Sequence, residues 1–331
     1  MNPFDKKLKR YKINSIIFQK GGRRMIELKG VNFNYVSFEK RPGLKGSIND
    51  LFHRKKIEIP ALKQFNLTID SGEIVGLIGP NGAGKTTLTK LLTGIISPSS
   101  GQVRVGGFQP DKKEKAFLKD IGVLFGQKSQ LSWDLPAIDT LNMLASIYEL
   151  PKDRFQRRLT DLATMLDAKE IIYRPVRKLS LGQRVKCDLM CALIHSPKYL
   201  FLDEPTIGLD LVAQENIYKF LHQENWLHQT TIIITSHNVR DIEALAQRLM
   251  IVSKGSLIFN DSLDKLPIDV SRQQFFNVKY LSAERTVQAR ISEAELTAVL
   301  SKVKADELIE VSREGISLEE LILEIYKNEN S

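Results

Sequence analysis

The sequence predicts an α/β protein built on a parallel sheet. Residues 200–202, Thr231–Thr235 and 249–252 are short apolar runs of the kind that form strands buried on both faces. Helical stretches separate them, and strand alternating with helix is the pattern of a parallel core. A further apolar strand, Ile74–Ile78, runs directly into a glycine-rich loop and then a helix.

The remaining elements follow in order. Residues 25–35 read as a strand, and 38–59 as an insertion containing Pro42, Gly43, Gly46 and the basic run His53-Arg54-Lys55-Lys56. Alternation resumes over 61–69, and Asp70-Ser71-Gly72-Glu73 is a turn. Helical spacing over 86–92 stops at Gly94, with Pro98 beyond. Residues 103–105 and 121–125 read as strands. Residues 130–178 are mostly helical, with Leu141, Leu144 and Ile147, then Leu159, Leu162 and Leu166, at three-to-four spacing. Beyond Pro267 a small α+β appendix ends in the amphipathic stretch 317–327.

Composition narrows the function classes. No stretch approaches the ~18–20 consecutive apolar residues of a membrane-spanning helix, and residues 13–18 are too short and broken an apolar run for a cleavable signal. A cytoplasmic chain is expected. The net charge is +9, but residues 1–24 hold eight Lys and Arg against Asp5 alone, leaving +2 for the other 307 residues. The basicity belongs to a tail, which argues against a nucleic-acid partner. Lys20-Gly21-Gly22-Arg23-Arg24 is what a purine-rich ribosome-binding stretch would read as if translated. Synthesis from Met25 and a disordered basic arm are therefore both open. Cys187 and Cys191, at i, i+4, make a poor metal site alone and read as small buried residues.

Gly79-Pro80-Asn81-Gly82-Ala83-Gly84-Lys85-Thr86 satisfies G-x-x-x-x-G-K-[ST] between a strand and a helix, with Thr87 continuing into that helix. Glycines let successive backbone N–H groups form a nest for phosphate oxygens at the helix N-terminus. Lys85 adds charge near the β- and γ-phosphates, and the Thr86 hydroxyl is suited to Mg²⁺. An ATP site is the expectation. Leu200-Phe201-Leu202-Asp203-Glu204 is an apolar strand ending in carboxylates: Asp203 beside the metal, Glu204 placed to orient or deprotonate the attacking water.

Leu179-Ser180-Leu181-Gly182-Gln183 precedes that strand and resembles the signature of the ATP-binding-cassette (ABC) family, with Leu181 in place of a glycine. Ser180 is also a good N-cap for a helix running through Leu193. Over residues 25–265 the resemblance implies a P-loop NTPase core with an antiparallel β subdomain and a helical subdomain at about 128–180. It further implies a head-to-tail dimer, with an identical or similar ABC ATPase, in which Ser180, Leu181, Gly182 and Gln183 face ATP held by the opposite subunit. By the same resemblance Gln127 contacts Mg²⁺ and the attacking water, and His237 the γ-phosphate. Asp210 lies on a loop crossing the dimer interface, and Tyr35 stacks on adenine.

The wording around residues 125–136, 179–184 and 203–210 is most similar to ATPases of bacterial ABC-2-type exporters of the drug-resistance and viologen type. That implies separate integral-membrane permease subunits and a peripheral site on the cytoplasmic face of the membrane. Trp133 and Leu135 read equally as permease contacts or as core. The insertion also resembles polysaccharide or teichoic acid export ATPases, and a soluble ABC ATPase acting on ribosomes or DNA is the alternative of another class.

Overall fold

A computed structural model describes residues 25–38, 56–126, 129–266, 275–282, 285–304, 306–314 and 318–329. The tail 1–24, Gln127 and the run His53-Arg54-Lys55 lie outside them. The chain opens with β1 (Ile26–Phe38), β2 (Lys56–Ile69), β3 (Ile74–Ile78), α1 (Lys85–Leu92), β4 (Ser100–Val105), α2 (Lys115–Asp120) and β5 (Ile121–Phe125). It continues through α3 (Ala137–Ile147), α4 (Lys152–Met165), α5 (Leu181–Leu193), β6 (Tyr199–Asp203), α6 (Leu211–His228), β7 (Thr231–Thr235), α7 (Val239–Leu245), β8 (Arg248–Ser253) and β9 (Ser256–Ser262). The C-terminal elements are β10 (Phe275–Ser282), β11 (Arg285–Ser292), α8 (Glu293–Leu300), β12 (Leu308–Glu314) and α9 (Leu318–Glu329).

The central sheet has the order β5-β6-β7-β3-β8-β9. Its first five strands are parallel, and β9 folds back antiparallel on β8. Alternation along each strand divides the core in two. Ile74, Leu200, Leu202, Ile232 and Ile234 point into a cluster shared with α3, α4, α5 and α6. Val75, Leu77, Phe201, Ile233 and Met250 point the other way, onto α1 and the antiparallel sheet β2-β1-β4. Both faces are covered, which is why β3 reads as a continuous apolar run and is buried at every residue. Leu318 and Ile322 of α9 join the first cluster, so the small sheet β11-β10-β12 is followed by a helix packed beside α7.

One expectation fails at the start of β2. Residues 56–60 are strand, not insertion, and pair with Asn34–Phe38 of β1. They are exposed on both faces, so no burial pattern marks them in the sequence. The helical region resolves into α3 and α4 followed by two short 3-10 turns, 171–173 and 176–178.

Candidate nucleotide site

The loop Gly79–Thr86 joins β3 to α1, and its conformation needs its glycines. Gly84 caps α1 at φ 112°, and a Cβ there would lie 2.8 Å from the Ala61 carbonyl oxygen. Lys85 is buried and folds back over the loop, its Nζ donating to the carbonyls of Gly79 (2.6 Å) and Pro80 (3.2 Å). Burial pushes its ammonium below the usual lysine range, opposed by the nearby carboxylates of Glu204 and Asp203. The Thr86 hydroxyl reaches Asp203 Oδ2 at 3.4 Å. The Tyr35 hydroxyl lies 3.1 Å from Thr87 Oγ1, and Phe33 packs edge-on against the Tyr35 ring at 4.9 Å. Tyr35 itself is exposed at the edge of the loop helix.

The carboxylates come from the end of β6. Sheet register sets Asp203 level with Phe125 on one side and Thr235 on the other. Thr235 donates its hydroxyl to Asp203 Oδ1 at 2.5 Å and accepts the Glu204 N–H at 3.2 Å, while its carbonyl accepts the same N–H at 3.0 Å. Glu204 leaves the strand at φ 53°, a left-handed conformation that costs a non-glycine residue about 1–3 kcal/mol. That turn aims Glu204 at the next strand end, where His237 Nδ1 donates to Glu204 Oε2 at 2.7 Å. Among the described residues, no other hydrogen bond engages His237 Nε2. Gly126 donates its N–H to the Asp203 carbonyl, and a Cβ on it would meet the Asp203 and Glu204 carbonyls at 2.8 Å.

Ser180 caps α5 as expected. Its hydroxyl accepts the Gln183 N–H at 3.2 Å, and Gln183 Oε1 accepts the Ser180 N–H at 3.0 Å, a reciprocal capping box. Asp210 caps α6 through Ala213 N. Gly182 faces Ala213 and Leu209, and exposed Leu181 lies against Gly208. Among the described residues, no hydrogen bond or ion pair joins Ser180–Gln183 to the loop Gly79–Thr87.

The structure thus gathers the loop, Tyr35, Asp203, Glu204 and His237 in one region and leaves 180–183 with the loop around Asp210. Trp133 and Leu135 are exposed, so the core reading of these two does not hold. Thr235 and Gly126 were missed. The threonine directly before Ser236-His237 was a local signal, but its neighbour Asp203 follows only from the strand order.

Comparison with known proteins identifies the family and the fold. A family profile described as ABC transporter matches residues 62–207. The ABC transporter ATP-binding protein NatA of Bacillus subtilis is 32% identical over 231 residues, 70% of this chain and 93% of that one. The daunorubicin resistance ATP-binding protein DrrA3 of Streptomyces coeruleorubidus is 32% identical over 62% of this chain and 65% of its own. The fold matches the dimeric post-hydrolysis ATP-binding cassette MJ0796, bound to ADP and Pi, at TM-score 0.59 and 24% identity, covering 72% of this chain and 98% of that one. The site and fold define a P-loop ATPase with a mixed sheet, a helical layer and an antiparallel β layer. The chain belongs to the ABC transporter family of ATP-binding proteins, and it is the ATPase subunit of a transporter.

Proposed function

We propose that this ATPase drives an ABC-2-type exporter from the cytoplasmic face of the membrane, bound to separate integral-membrane permease subunits. The observation that carries the reading is the exposed apolar surface of Trp133 and Leu135. The segment 133–136 is held rigidly by backbone bonds from Val176 and Arg177, and exposed Tyr173 precedes them. Arg184 of α5 lies 5.1 Å from the Trp133 ring centroid, so this surface is tied directly to the signature helix. Rigid apolar side chains left in solvent suit a protein partner. Among the described residues no helix is long and apolar enough to cross a membrane; in this reading the partner supplies the membrane passage. The resistance role in the name of the Streptomyces relative supports export.

In this reading two cassettes close head to tail on two ATP molecules. Backbone N–H groups of Gly79–Thr86 and the Lys85 ammonium hold the phosphates, Tyr35 carries the adenine, and Ser180 and Gly182 of the opposite subunit complete the site. The separation of 180–183 from the loop within one chain supports the need for a second copy. The Thr86 hydroxyl and Asp203 carboxylate converge as hard oxygen donors and fit Mg²⁺, with Gln127 as a further ligand. Bound there, the ion would neutralise charge on the phosphates. Glu204 accepts a proton from the attacking water, and His237, oriented through Nδ1, contacts the γ-phosphate through Nε2. Closure excludes water and reopening follows hydrolysis.

The resemblance of the stretch 35–62 to polysaccharide and teichoic acid export ATPases supports one second reading, an exporter of that cargo class. Glu204→Gln is expected to bind ATP, stall turnover and hold the dimer closed, and tagged protein from membranes should carry a polytopic partner. Unchanged steady-state ATPase would remove Glu204 from its role. Recovery with ribosomes and no membrane subunit would overturn the exporter reading.

A further inference from the structure

We propose that Asp241 is a positioning residue for ATP hydrolysis, binding the segment that carries His237 and the loop from Glu204 to Asp210 into one mechanical unit. The inference rests on the roles given to Glu204 and His237 above. Asp241 lies in the first turn of α7 and is almost fully buried. Its Oδ2 accepts the hydroxyls of Thr206 (2.6 Å) and Ser236 (2.5 Å), and its Oδ1 accepts the Tyr218 hydroxyl. All three donors are neutral and buried, and they come from three different segments. Thr206 stands two residues after Glu204, Ser236 directly before His237, and Tyr218 on α6, whose N-cap is Asp210.

The chemistry requires a carboxylate. Ser236 Oγ already accepts the Asn238 N–H at 2.9 Å, so its own hydrogen goes to Asp241 and both flanks of His237 are fixed. Burial, and then the bond to Asp241, push the Tyr218 phenol above its usual range, which keeps it a donor. Three hydroxyl donors need an acceptor-only partner with several lone pairs. An asparagine would turn an N–H₂ toward one of these hydroxyls and leave one group unpaired in a buried place, where such a loss is most costly.

The consequence concerns the reacting groups without touching them. Glu204 and His237 sit on separate strand ends, and among the described residues the Glu204 N–H reaches the strand before His237 through Thr235. Asp241 provides the second brace, behind the site, and continues it to the helix that Asp210 caps. A displacement of the Asp210 loop on dimer closure therefore reaches His237 within the same chain. Loss of the brace should misplace Glu204 and His237 relative to each other while the phosphate loop, anchored on β3 and α1, still binds ATP.

The test is Asp241→Asn in the full chain, with ATP affinity, KM, kcat and thermal midpoint measured together. The expected result is ATP affinity and KM within about twofold of wild type and kcat lower by about 10–100-fold, the scale of a misplaced reacting group. Thr206→Val and Tyr218→Phe should each lower kcat, and neither should lower it further in the Asp241→Asn background, because the three act as a unit. Should Asp241→Asn fail to fold, the two single-donor variants decide alone, and wild-type kcat in both overturns the proposal. A parallel fall of thermal midpoint, ATP affinity and kcat would show a purely structural residue and also overturn it. Wild-type kcat in Asp241→Asn, with Glu204→Gln inactive, sinks this inference only. Full activity in Glu204→Gln sinks the underlying assignment.

Discussion

Among the described residues, one ion pair between the helical layer and the core is buried on both sides, and its removal has a calculable cost. Arg158 of α4 and Glu224 of α6 have side chains 6% and 0% exposed. Arg158 donates to Glu224 Oε1 at 2.5 Å, to the Leu193 carbonyl at 3.2 Å, and to His228 Nε2 at 2.9 Å. Arginine only donates, so His228 Nε2 is the acceptor in this bond. The bond to Leu193 reaches the C-terminal end of α5, so the same guanidinium sets the helix whose first turn is the signature. Glu224→Gln leaves a buried guanidinium without its counter-charge, which costs about 3–5 kcal/mol. The double variant Arg158→Met with Glu224→Leu removes both charges and fills the space, and should fall within about 1–2 kcal/mol of wild type or exceed it. Equilibrium unfolding in urea measures both. A loss below about 1 kcal/mol in the single variant, the range of an exposed pair, would refute the reasoning. If α5 depends on this anchor, the single variant should also lose ATPase more than ATP binding.

Lys85→Ala removes a charged donor to the phosphates and should weaken ATP binding by about 10–100-fold, corresponding to about 1.5–3 kcal/mol. Equilibrium nucleotide titration checks this, and unchanged affinity would count against the assigned role. His195 offers a pH dependence. Its ring stacks on Tyr148 and bonds the Ile121 carbonyl, and burial pulls its pKa down to about 4. The unfolded chain binds this proton near pH 6.5, the folded chain near 4. Its neutral form therefore contributes stability that is complete above about pH 6.5 and is lost as pH falls toward 4, about 3 kcal/mol in all. Urea midpoints across that window should show the loss in wild type and a shallower one in His195→Gln. Equal slopes would refute the assignment.

The sequence reads well where chemistry is local and poorly where sheet order decides. Gly79–Thr86 was legible because one contiguous segment supplies the nest, the lysine and the hydroxyl. Ser180 was legible as an N-cap because a capping box spans four residues. Lys56–Pro60 was not, since an exposed hairpin end carries no burial periodicity and only Ile57 and Ile59 favour strand. Thr235 and Asp203 are 32 residues apart, and nothing in either segment says that β6 and β7 are neighbours. Gly126 looks like an ordinary turn glycine until β5 is laid beside β6 and the carbonyls of Asp203 and Glu204 fill the space a Cβ would need.

Asp241 marks the limit most clearly. In the sequence it is an acidic residue in the first turn of a short helix, favourable to the helix dipole and otherwise unremarked. Folding brings to it hydroxyls from 35, 23 and five residues away, from the segments flanking Glu204, His237 and the Asp210 loop. The motif residues name the groups proposed to touch ATP. The geometry between them is set by groups that no motif contains: among the described residues, three hydroxyls converge on one buried carboxylate behind the site.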